Sequence, residues 1–357
     1  MVTDSGTDSD GMCEADFGDA RSCRDDCSLV CEGGDACVAP RCEPVDAGME
    51  EECGVRWPAR PDRPDALDDQ EVVFALRDLQ LDQRASWAEL GWDLDQRCTL
   101  STADEASCIP PGASSPPLDG REGRDNVFGA TILEELADAD PGLGAAVQAR
   151  MSAGEALLLH IGGWNGQADD PLVEVWLAQT VGVDRADGEP EPQWDGADVW
   201  DVSSANFVTM ANRPRLGDDR AYIANRTLVV RLPDREELVF PLSGGAQLEL
   251  RMTETRLTGT LSEDTRRLED VVITGRFALI DLEAALGKAG ICPGTELRAR
   301  LERRLATSLD LRSDPETASP GVTCDAVSAA FPLVGVRAGL GARVEPPPPP
   351  EDRCPAG

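Results

Sequence analysis

Twelve cysteines carry the clearest chemistry in this sequence: Cys13, Cys23, Cys27, Cys31, Cys37, Cys42, Cys53, Cys98, Cys108, Cys292, Cys324 and Cys354. An even count is what full pairing requires. No two are spaced C-x-x-C, and the single histidine, His160, is remote from all of them. Zinc knuckles and thioredoxin-type centres therefore lack their ligands. Structural disulfides remain, and they persist in an oxidising compartment. The expected pairs are Cys98 with Cys108 across a short loop, Cys292 with Cys324 across a helix, and Cys53 with Cys354 tying the ends of the main domain.

Oxygen-rich loops are the second chemistry. Asp119-Gly-Arg-Glu-Gly-Arg-Asp-Asn126, Asn165-Gly-Gln-Ala-Asp-Asp170 and Trp194-Asp-Gly-Ala-Asp-Val-Trp-Asp201 each crowd carboxylates and amides around glycine. Calcium takes roughly six to eight oxygens from such sets, and glycine permits the tight backbone. The nominated ligands are Asp119, Asp125 and Asn126 from one loop with Asp169 or Asp170 from the next, and calcium is the one cofactor expected. The spacing is not that of an EF-hand, and ordinary Asp/Asn/Gly turn chemistry is the competing reading.

Trp164, Trp176, Trp194 and Trp200 fall beside those loops. Exposed on a sheet face they would stack on sugar rings; in a chain this poor in Phe and Tyr they also suit the core. His160, in Leu157-Leu-Leu-His-Ile161, is the only imidazole, and a histidine in such a run is ordinarily a hydrogen-bonded structural residue. Gly142-Leu-Gly-Ala-Ala-Val and Gly339-Leu-Gly-Ala-Arg-Val begin like dinucleotide fingerprints but lack the third small residue. No nucleophile elbow, Walker loop or zinc-protease helix occurs, so no catalytic residue is nominated.

The net charge of −34 repels nucleic-acid phosphates and excludes nucleic acid as a partner. No run approaches the ~18 apolar residues of a membrane span. The opening Thr3–Gly11 stretch, all Ser, Thr, Asp and Gly, has the composition of the spacer that follows the lipidated cysteine of a lipoprotein, so membrane contact is expected only through a lipid anchor outside this chain.

These residues need a frame. Residues 1–53 form an acidic, cysteine-rich stalk with too little apolar surface to fold without disulfides. Residues 54–70, with Pro58, Pro61 and Pro64, read as a stiff linker. The main domain covers 71–345. Val72–Leu81, the alternating runs around Leu159, Val175, Val230 and Leu250, the segment around Ile273 and a last stretch over Phe331–Val344 read as strands with one wet face. Leu297, Leu301, Leu305 and Leu309 mark an amphipathic helix, and residues 127–138 and 143–151 are weaker helix candidates. Residues 346–357 are a polyproline tail carrying Cys354. The expected fold is mainly β, an antiparallel sandwich or jelly roll with helical insertions; an α+β arrangement is the alternative.

Phe74-Ala-Leu-Arg, Gly91-Trp-Asp-Leu-Asp-Gln-Arg-Cys98, Gly123-Arg-Asp-Asn126, Trp164-Asn-Gly-Gln-Ala-Asp-Asp170, Trp194-Asp-Gly-Ala-Asp-Val-Trp200 and Cys324-Asp-Ala-Val-Ser328 together resemble a family of uncharacterised exported proteins, many of lipoprotein type, from large-genome GC-rich bacteria. The resemblance spans about residues 70 to 345. It implies export and transfers no functional residue. The expected function is an exported or surface-anchored, non-catalytic protein, an adhesion or ligand-binding module with calcium-stabilised loops and a carbohydrate or protein ligand. The alternative is a secreted hydrolase using paired carboxylates.

Overall fold

Apolar side chains at alternating positions in most of eight paired segments turn to one side, and the sheet they form closes on itself. A computed structural model of the chain describes residues 54–62, 70–102, 104–184, 191–208, 213–242, 247–346 and Cys354. The strands are β1 (Gln70–Arg77), β2 (Leu157–Trp164), β3 (Asp170–Asp184), β4 (Val199–Ser203), β5 (Phe207–Val208), β6 (Arg213–Pro214), β7 (Leu216–Ala224), β8 (Thr227–Arg231), β9 (Leu238–Pro241), β10 (Gln247–Leu250), β11 (Met252–Leu261), β12 (Arg267–Ala278), β13 (Ala326–Arg337) and β14 (Gly339–Val344). The helices are α1 (Leu133–Ala139), α2 (Leu143–Ser152), α3 (Leu279–Lys288) and α4 (Glu296–Ser308).

Around the ring, β1 pairs with β2, then β3, β7, β8, β11, β12 and β13 follow, and β13 returns to β1, every pair antiparallel. The domain is a closed eight-stranded barrel, mainly β as expected, but not a sandwich. Alternation reports one wet and one dry face in either architecture; the β1–β13 pairing that shuts the ring sets Arg77 opposite Val334, segments far apart in sequence. Eight strands leave an interior that side chains can just fill. Phe74, Leu159, Val175, Val230, Leu257, Phe277 and Phe331 fill it, all without solvent exposure.

The strands run up and down in turn, so all four long connections (78–156, 185–215, 232–251 and 279–325) leave from one end, and the other end carries three short turns. The helices lie in the first and last long connections. Leu133, Val147, Met151, Leu282, Leu286, Leu301 and Leu305 join the barrel core and stopper that end. Helix α4 is the one expected from its leucines, capped by the Thr295 hydroxyl accepting from the Arg298 N–H. Helix α3 follows β12 without a turn, and its apolar run reads locally as more strand.

Two outer layers cover the barrel. One is β4 and β14, which bury Trp200 and Val202 against Val73, Leu158 and Trp176. The other is the stretch from Leu79 to Asn126, laid over β12 and β13. The single expected strand over Phe331–Val344 is broken at Ala338, so that β14 leaves the ring to join β4.

The turn end is tight. A Cβ at Gly335 would stand 2.8 Å from the Leu268 Cβ, and one at Gly259 would stand 2.9 Å from the Leu268 Cγ. Gly335→Ala is expected to destabilise the barrel by about 1–3 kcal/mol through overpacking, read by urea unfolding. An unchanged midpoint would mean that the strands can part there.

The disulfide partners differ from expectation. Cys108 pairs with Cys324 and Cys292 with Cys354, each with Cα atoms 5.2 Å apart. Cys98 is disulfide-bonded too, but not to Cys108; Cys53 and the stalk lie outside the described residues. The reason is local pairing: Ile109 N–H bonds to Val322 O and Cys324 N–H to Ile109 O, which sets Cys108 beside Cys324. These bonds belong to an oxidising, extracytoplasmic compartment. Among the described residues no helix is long and apolar enough to cross a membrane. Residues 54–62 are also no free linker. Gly54 and Val55 N–H groups bond to Glu122 O, Tyr222 donates to Pro58 O at 2.6 Å, and Arg60 donates to the carbonyls of Pro171 and Arg220.

Candidate metal centre

The outer layer over β12 and β13 turns sharply at Gly91, whose φ is +98°; a Cβ there would stand 2.8 Å from Asp125 O. That close approach brings the loop Gly91–Cys98 against Gly123–Asn126. Asp125 N–H bonds to Trp92 O at 3.2 Å, and Leu94 N–H returns to Asp125 Oδ2 at 2.6 Å. Asp93 accepts from Gln96 N–H at 2.5 Å, and Asp95 accepts from Arg97 N–H at 2.9 Å. One oxygen each of Asp93, Asp95 and Asp125 then lie within 4.8 Å of one another. Asp93 and Asp125 are only 3% and 1% exposed.

Two further acids flank this triad. Asp119 accepts from Thr99 N–H at 2.6 Å. Asp310, which follows α4 and is 8% exposed, accepts from Ser328 N–H at 2.8 Å through Oδ1, while its Oδ2 is buried with no hydrogen-bond partner. Burial, then the other carboxylates, pushes Asp93 up to about 6 and Asp119 up to about 8. Burial foremost pushes Asp310 up to about 7, with Asp95 adding to it. Asp125 is raised well above the usual carboxylate range, by burial and then by Asp95, Asp119 and Asp310. None of the leading influences on Asp119, Asp125 or Asp310 is a basic side chain. Asp93 alone has one, Arg56, which opposes the rise.

No family model, curated protein or solved structure matches this chain.

The donor set decides what the cluster can hold. Carboxylate oxygens suit hard divalent cations rather than soft ones. Two oxygens bound to one calcium at 2.3–2.6 Å lie at most about 5 Å apart, whereas magnesium at 2.0–2.1 Å limits them to about 4 Å. Oxygens that all lie within 4.8 Å of one another fit calcium as they stand.

Of the ligands nominated from the sequence, Asp119 and Asp125 meet in this cluster. Asn126 does not offer itself: its amide donates to Gln83 Oε1 and Trp87 O and accepts from Gly129 and Ala330 N–H, fastening the loop to β13. Asp169 and Asp170 lie in the β2–β3 turn, at the opposite end of the barrel. Asp170 accepts from Asn165 and Leu172 N–H, and Asp169 accepts from Asn225 N–H. The structure does not bring the two loops together, and the hydrogen bonds of the second are those of a turn. Asp198 likewise accepts from Gln193 and Trp194 N–H within its own loop. The reading from sequence missed Asp93 and Asp95, whose Asp-Leu-Asp spacing after Gly91 was the available signal, and Asp310, which has no local signal.

The tryptophan platform gives way to packing. Trp164, Trp176 and Trp200 are buried, and Trp194 is half-buried between Arg77 and Trp200, with Nε1 donating to Ser152 O. His160 stacks on Trp176 at 4.7 Å on the outer face of β2, and burial lowers its proton affinity.

Proposed function

We propose that this protein is an extracytoplasmic, non-catalytic binding module, secreted or held at the cell surface by a lipid anchor, whose outer loop layer is set by calcium. Asp93, Asp95 and Asp125 supply the first oxygens, and Asp119 and Asp310 stand beside them. The observation that carries this reading is that one carboxylate oxygen each of Asp93, Asp95 and Asp125 lie within 4.8 Å of one another, with the leading influences on the Asp125 carboxyl being burial and other carboxylates. Extracellular modules need only bind calcium with dissociation constants of about 10⁻⁴–10⁻³ M, because the ion is abundant outside cells. A rigid barrel that presents loops is a common frame for recognition.

Melting in calcium against chelator tests it. A hundredfold excess of calcium over its dissociation constant should stabilise the fold by about 2.7 kcal/mol. Terbium in place of calcium should luminesce on tryptophan excitation, since Trp92 adjoins Asp93. Asp125→Asn should abolish both responses. An unchanged midpoint with dark terbium would leave the loops as turns alone.

A further inference from the structure

On a chain of net charge −34, the outer face of β8, β11 and β12 carries an unexpected juxtaposition. Arg231 and Arg256 stand directly opposite each other in the β8–β11 ladder, and Arg256 stands opposite Thr274 in the β11–β12 ladder. Side chains directly opposite share a face, with Cβ atoms about 4.5–5.5 Å apart, and like charges so placed repel. Neither arginine forms an ion pair among the described residues.

The acids nearby are committed elsewhere. Glu254 binds Arg276 at 2.9 Å, and the two oxygens of Asp218 accept from the N–H groups of Arg220 and Arg231. Arg256 lies flat under Trp57, its Cζ 4.2 Å from the ring centroid, so its guanidinium is held in place. Its Nε is buried without a hydrogen-bond partner, and so is the Thr274 hydroxyl, on a residue with no exposure at all. Two adjacent donors are therefore desolvated and unused, beside a third, exposed guanidinium.

We propose that Arg231, Arg256 and Thr274 form an oxyanion site, taking the sulfate, phosphate or carboxylate group of a ligand. The guanidinium forks supply charge-assisted donors from two strands, and the threonine hydroxyl supplies a third from the next. Trp57 covers the Arg256 guanidinium, and Arg231 is exposed to solvent. Burial and then Arg231 lower the proton affinity of the Arg256 guanidinium, against the opposing influence of Glu254, Tyr222 and Asp218. The site is independent of the calcium centre, sharing none of its residues.

Sodium sulfate, phosphate and acetate, each titrated at constant ionic strength against chloride, provide the probes. At least one should raise the melting midpoint saturably, and the most potent identifies the group. Arg231→Gln, an exposed change that leaves the core intact, should weaken that potency at least tenfold. Thr274→Val should leave the anion-free midpoint equal or higher, because an unpartnered buried hydroxyl is gone, while the anion response weakens. If no anion gives a saturable rise, or Arg231→Gln responds like the parent, the site does not exist. A lower anion-free midpoint in Thr274→Val would show the hydroxyl already satisfied and would equally overturn it.

Discussion

Replacing Cys108 and Cys324 together by alanine is expected to cost about 5 kcal/mol of stability, the largest effect of any change considered for this chain. The bond closes a loop of 216 residues, and the entropy it removes from the unfolded chain grows with that length. Both sulfurs are buried, so alanine leaves small cavities but strands no polar atom. The bond also joins the first long connection to the last. Its loss should therefore loosen the layer that holds Asp93 and Asp125 and weaken any calcium response. Denaturant unfolding of the double variant measures the cost. A change below about 1 kcal/mol would mean that the loop layer is held by its hydrogen bonds alone.

The second large effect is on pH dependence. Without calcium, stability should fall as pH rises from about 4 to about 8. The sign follows from the folded state holding its protons more tightly. Asp93, Asp310 and Asp119 are pushed up to about 6, about 7 and about 8 from an ordinary 3.8. Below the ordinary value both states are protonated and nothing is lost. Above it the unfolded chain ionises freely, while the folded cluster must keep protons or bear crowded buried charge. Each such carboxyl then adds to the loss of stability until its folded value is passed. Calcium should flatten the slope, because it favours the ionised cluster. Melting at pH 5, 6, 7 and 8 in chelator and in calcium reads both slopes; a chelator profile that rises with pH contradicts the clustered, cation-poor site.

The antiparallel sheet and α4 were legible because their information is local: alternation in β2, β8 and β10, and leucines four apart in Leu297–Leu309. Closure was not. Strand β7 has Asp218, Asp219 and Arg220 at its centre and pairs with β3 through register shifts, so its alternation is broken where it matters. The disulfides were misread for the same reason, since Cys108 finds Cys324 through backbone pairing that spacing does not encode. Two of the five acids in the cluster were visible: Asp119 and Asp125 stood out beside their glycines. Asp93 and Asp95 lie in a loop with a single glycine, Gly91, and were not singled out, and Asp310 reaches the cluster only through the fold.

Ring closure by β1 and β13 bears on how the chain is made. Phe74 lies opposite Arg337, and Arg77 opposite Val334, so the first barrel strand waits for the last. A chain emerging N-terminus first at about 5–20 residues per second presents β1 and β2 early, with one edge of β1 unsatisfied for the remainder of synthesis or translocation. Bare edges of apolar strands invite pairing with other chains. The growing sheet is therefore most vulnerable just before completion, and any truncation that removes β13 should yield an aggregating product rather than a smaller soluble domain.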